Sequence, residues 1–123
     1  MKAIKKLFWI GGLYDFCLGI GFLIAPVWLF QYFHITPPNH WGYVTFAAAM
    51  LMIFGLMFFQ ISKNPTANRN LIPYGILLKI AYCGTVFGYY FLSSLPCVWV
   101  VFGIFDFVFL LFFVYAYKKL GKN

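Results

Sequence analysis

Three side chains in this sequence could carry charge within apolar surroundings: Asp15, Lys79 and Asp106. They sit in GGLYDFCLGIG, YGILLKIAYCG and VFGIFDFVFLL, runs made almost wholly of apolar, aromatic and glycine residues. Two carboxylates and one ammonium can form an ion pair, relay a proton, hold a cation, or hydrogen-bond the polar end of an otherwise apolar ligand. Asp15 and Asp106 are also the only 2 acids of the chain. Tyr14 directly precedes Asp15. Tyr82 and Cys83 follow Lys79 at the i+3 and i+4 spacing that shares one helical face. A phenol can donate to a carboxylate, so Asp15, Lys79, Asp106, Tyr14 and Tyr82 form the candidate binding set.

The elements that must position these residues follow from composition. The chain has 123 residues, of which 64% are hydrophobic, 24% aromatic and 9% charged. Soluble domains are about 25% charged, so this chain has too few ions to cover a water-facing surface. Disordered chains lack such apolar content. A helix needs roughly 20 apolar residues to cross a hydrocarbon core, and four stretches suffice: 7–30, 43–61, 71–92 and 97–117. Pro-, Asn-, Ser- and Gly-containing segments separate them, and connections this short imply antiparallel neighbours. The strict alternation of a membrane β-barrel is absent from runs such as FVFLLFFVYAY. The expected fold is all-α, an integral membrane four-helix bundle threaded up-down-up-down.

Charge sets the expected orientation. Lys2, Lys5, Lys6, Lys63, Arg69, Lys118, Lys119 and Lys122 are 8 of the 9 cations, and all fall at the termini or in the second loop. Cytoplasmic segments carry the Lys/Arg excess, so both termini and that loop are expected in the cytoplasm. Topology thus accounts for most of the net charge of +7 without nucleic acid as a partner. The first apolar run is longer than a signal-peptide core and has no small-x-small cleavage site before Pro26, so it reads as a retained helix. Pro26 should kink it near Ala25 and let the following residues lie along the outer interface. Trp28, Trp41 and Trp99 near the outer boundary, and Trp9 near the inner one, match aromatic belts.

With these spans the depths of the ionisable residues can be worked out. Asp15 lies eight residues beyond Leu7 and Lys79 eight beyond Leu71, each about 12 Å deep. Asp106 lies eleven residues before Tyr117, roughly 16 Å deep. One polar level in three helices is therefore expected. An intramembrane charge costs about 2.5–3.5 kcal/mol and normally faces the bundle interior or a wet cavity with a partner. Lys79 can neutralise one carboxylate. The other must be protonated, share the lysine, or bind a cation. Gly12 and Gly103 each precede an acid by about one turn, where a second helix could approach closely. Ala47, Ala48, Ala49 and Gly55 offer similar small surfaces on the second span.

Other chemistries lack support. Nucleotide-binding glycine motifs, HExxH, GxSxG and CxxC are all missing, so no cofactor is implied. Cys17, Cys83 and Cys97 read as small hydrophobes. His34 and His40 share one loop without an acid, short of the four ligands of a structural metal site, so no metal is expected. Asn70 can cap the third span with Pro73 in its first turn. Arg69 sits at headgroup level, where it can touch lipid phosphate or simply enforce topology.

The glycine-rich first span GGLYDFCLGIGFLIAP, the Pro-containing outer loop, RNLIPYGILLKIAY opening the third span and the acid in the fourth together resemble the small bacterial four-span membrane proteins of the DoxX-like type. The resemblance covers most of the chain at the level of architecture. It implies a multi-pass protein of the bacterial inner membrane, linked to quinol-oxidase assemblies and redox homeostasis, and it assigns no residue a role.

The sequence favours a non-catalytic protein, either an accessory subunit or a binder of lipid or quinone through Asp15, Lys79 and Asp106, with Tyr14 and Tyr82 orienting polar atoms. Its partners would be the bilayer and a homo-oligomer or larger membrane complex. The alternative is a proton-coupled transporter or ion pathway formed by an oligomer, since four helices leave little room for a pathway in one chain. An intramembrane enzyme ranks last, because it needs two poised groups at one substrate.

Overall fold

A computed structural model describes residues 1–121, so Lys122 lies outside the described residues. They form five α-helices: α1 (Lys2–Ile24), α2 (Pro26–Tyr32), α3 (Gly42–Lys63), α4 (Ile72–Leu92) and α5 (Cys97–Gly121), with a 3-10 turn at Arg69–Leu71 before α4. No strand occurs among the described residues. Four of the helices are long and apolar enough to cross a membrane. The 23 residues of α1 span about 34 Å, slightly more than a hydrocarbon core. Large apolar side chains remain on the outside, among them Phe91 and Leu92 at 81% and 84% exposure. Water would penalise such a surface; lipid would not.

The first apolar run does not continue as one helix to Phe30. It breaks at Ala25, whose φ of −129° and ψ of 52° leave the helical region. Pro26 causes this, because its ring disfavours helix at the preceding residue and it has no N–H to donate. Only one residue is lost: Ala25 N still donates to Gly21 O at 2.9 Å, and Leu29 N donates to Ala25 O at 3.0 Å. The short α2 then ends in a Schellman cap, with Ile35 N donating to Phe30 O at 2.8 Å and His34 N to Gln31 O at 3.2 Å. The residue that takes the left-handed conformation is His34, at φ 57°. Phe30 and Ile35, which flank the cap, are both buried.

The chain forms two compact units, Lys2–Lys63 and a second running from Asn64 onward. In the first, α1 and α3 pair antiparallel. Ser62 Oγ near the end of α3 donates to Lys5 O near the start of α1 at 2.7 Å. Phe8 and Phe58 are fully buried, with ring centroids 6.1 Å apart. Gly12 and Gly55 bring the two backbones together: a Cβ added at either would stand 3.0 Å from the other's carbonyl oxygen. The small residues picked out in both spans therefore do meet.

The second unit is the α4–α5 hairpin with its leading loop. Asn64 organises that loop, its Oδ1 accepting from Ala67 N at 3.1 Å and its carbonyl accepting from Asn68 Nδ2 at 3.0 Å. Asn70 does not cap α4. The N-cap position falls to Leu71, which makes no side-chain cap, and Pro73 in the first turn has no N–H to satisfy. α5 extends to Gly121, four residues past the apolar run, because lysines at a helix end keep their stems on the helix and their charges in water.

Candidate functional site

Each of the three ionisable residues within the long apolar runs lies on the buried stripe of its own helix. On α1 the stripe is Ile4, Phe8, Gly11, Gly12, Asp15, Gly19 and Phe22. On α4 it is Ile72, Gly75, Lys79, Cys83 and Val86, and on α5 Gly103, Asp106, Phe113, Ala116 and Leu120. Steps of three and four residues keep these positions on one face. The helices thus direct their few charges inward, as expected of intramembrane ions.

The α4–α5 unit brings Lys79 and Asp106 together. Lys79 Nζ donates to Asp106 Oδ1 at 3.1 Å. The lysine side chain is fully buried, whereas Asp106 keeps 9% of its side-chain surface exposed. The ammonium also lies 5.5 Å from the centroid of the Phe109 ring, within cation–π range. One turn from the pair, Cys83 Sγ contacts Gly103 O at 3.5 Å. Gly103 is where α4 comes close: a Cβ there would stand 3.1 Å from Val86 Cγ1. Lys79 and Asp106, expected at similar levels of their helices, are thus in direct contact.

Tyr82 does not serve a carboxylate. Its hydroxyl donates to Trp99 O at 3.3 Å, near the start of α5. A phenol has one proton to give, so Tyr82 ties the two helices together instead. Tyr82→Phe is expected to cost about 0.6 kcal/mol, the average for an interhelical hydrogen bond in a membrane, and to leave ligand retention unchanged in the measurement described below. Asp15 and Tyr14 are carried by the other unit, Asp15 buried and Tyr14 half-buried on α1.

The histidines have local structural roles. His34 is exposed at the α2 cap, and His40 Nδ1 accepts from Gly42 N at 2.9 Å at the start of α3. No group of three His, Cys, Asp or Glu among the described residues is placed to hold a metal ion. Sequence reasoning missed the seating of Arg69, whose Nε donates to Tyr117 O at 3.0 Å. Only its position at the end of an apolar run could have suggested such a contact.

No protein-family model matches the chain, and no curated protein or solved structure matches it either. The four helices long and apolar enough to cross a membrane point to the class of multi-pass membrane proteins.

Proposed function

We propose that this is a non-catalytic membrane protein, an accessory subunit or a small binder of a lipid or quinone, with buried Asp15, Lys79 and Asp106 as its polar groups and Asp106 as the one a ligand meets. In this reading the four spans run up-down-up-down with both termini cytoplasmic, in keeping with the 8 of 9 cations at the termini and in the second loop. Membership of the DoxX-like group and a bacterial inner-membrane location belong to the same proposal.

The observation that carries it is the Lys79–Asp106 pair and its unequal burial. Replacing a buried ion pair with apolar residues is often neutral or stabilising, so packing alone gives little reason for one here. With the lysine sealed, an approaching ligand meets the carboxylate, which accepts hydrogen bonds when ionised. A lipid hydroxyl or ammonium, or the hydroxyl of a reduced quinone, has the matching donor. Asp15 and Tyr14 supply a second polar position on α1.

The test is mass-spectrometric quantification of lipid and quinone that co-purify in mild detergent. Wild-type protein should retain an apolar ligand, and Asp106→Asn should retain about tenfold less, as for loss of a hydrogen bond to a charged group. Wild-type protein that carries neither lipid nor quinone, together with unchanged partner association in Asp15→Asn and Asp106→Asn, would overturn the proposal.

One observation favours a second reading, a proton-coupled pathway in an oligomer: both acids of the chain are buried within long apolar helices. Proton flux in liposomes that vanishes when both acids are neutralised would favour it over ligand binding.

A further inference from the structure

Arg69 opens the 3-10 turn before α4 and reaches across to the last turns of α5. Its Nε donates to Tyr117 O, and its Cζ lies 3.7 Å from the centroid of the Tyr117 ring. Gly121 stands one turn beyond Tyr117, and a Cβ there would collide with the guanidinium. The carbonyl, the aromatic face and the missing side chain together seat this half-buried guanidinium. The bond to Tyr117 uses Nε, and the guanidinium has further donors on Nη1 and Nη2, the fork that suits phosphate.

Among the described residues of this unit, no acidic side chain lies near this guanidinium. Lys118 and Lys119 occupy the same last turn of α5, with Lys119 Nζ 5.9 Å from the centroid of the Tyr115 ring. A helix C-terminus offers only about half a negative charge. The single acidic side chain of this unit, Asp106, is eleven residues from Tyr117, roughly 16 Å along α5. Capping α5 thus accounts for one donor and a fraction of the charge of three cations. Exposed apolar side chains lie toward the same end of the hairpin, Tyr74 and Leu77 on α4 and Phe112 and Tyr115 on α5.

We infer that Arg69, seated on Tyr117 and Gly121 at the end of α5 that also carries Lys118 and Lys119, binds the phosphodiester of an anionic phospholipid. The apolar surface beside it would carry the acyl chains, which a free phosphate lacks. This site stands independently of the Lys79–Asp106 reading.

The experiment is native mass spectrometry of the full chain in mild detergent with equal phosphatidylglycerol and phosphatidylcholine. Wild-type protein should retain phosphatidylglycerol preferentially, and Arg69→Ala should lower its retention about tenfold without changing that of phosphatidylcholine. Arg69→Lys keeps the charge but loses the fork and should lose most of the preference, as should Gly121→Leu, which displaces the guanidinium. Tyr117→Phe should behave as wild type, since the acceptor is the backbone carbonyl and a ring remains. Circular dichroism identifies variants that fold, and Arg69→Lys, the mildest change, keeps the test decisive. Equal retention of the two lipids by wild type, or unchanged preference in Arg69→Ala and Arg69→Lys, overturns the inference. Displacement of the lipid by millimolar inorganic phosphate would assign the site to free phosphate and overturn it as well.

Discussion

Lys79→Leu is expected to destabilise the protein by about 3–5 kcal/mol, the usual cost of removing one partner from a buried ion pair. The lysine is fully buried and donates to Asp106 Oδ1 at 3.1 Å. Without it, the Asp106 carboxylate stays on the buried stripe of α5 with its counter-charge gone. The cost of a lone aspartate at the centre of a membrane helix, about 2.5–3.5 kcal/mol, sets a similar scale. The double variant Lys79→Leu/Asp106→Leu should recover most of the loss, because neither charge then remains to be solvated. Reversible unfolding in mixed detergent micelles measures both variants. If Lys79→Leu unfolds within 1 kcal/mol of wild type, the pair does not hold the α4–α5 hairpin together.

That Lys79 and Asp106 share a level of the α4–α5 hairpin was legible in the sequence, because helical rise is fixed. Azimuth was not. A rise of 1.5 Å per residue gives a level and no direction, so it cannot say which carboxylate a neighbouring helix turns toward Lys79. The break at Ala25 could be read from Pro26, since proline acts on its immediate neighbour whatever the tertiary context. The cap that follows could not, because the left-handed position is normally filled by glycine or asparagine and here holds His34. Arg69 shows a third kind of limit. Its partner is 48 residues away, and the seat includes Gly121, beyond the point where hydropathy ends the fourth span. Tyr82 donates to a backbone carbonyl, that of Trp99, and such an acceptor leaves no mark in composition.

The same chemical change should have opposite signs at two glycines. Glycine to alanine inside a helix normally gains about 0.5–1 kcal/mol, because alanine loses less backbone entropy on folding. At Gly84 a Cβ would meet nothing within 4 Å, so Gly84→Ala should be neutral or stabilising by up to about 1 kcal/mol. At Gly19 a Cβ would lie 2.6 Å from Ala48 O, 2.8 Å from Met52 Cγ and 3.0 Å from Met52 N. Two of those atoms are backbone of α3 and cannot rotate away, so α1 and α3 must move apart. Overpacking of this kind costs about 1–3 kcal/mol, and the upper end is expected because Ala48 is itself buried. Gly19→Ala should therefore destabilise by about 3 kcal/mol in the same detergent unfolding measurement, reversing the helix-propensity gain. Gly55→Ala should follow it, since its Cβ would stand 2.9 Å from Phe16 N and 3.0 Å from Gly12 O. A Gly19→Ala protein as stable as Gly84→Ala would mean that α1 and α3 are not held at backbone contact, and that the glycines of the first span serve something other than packing.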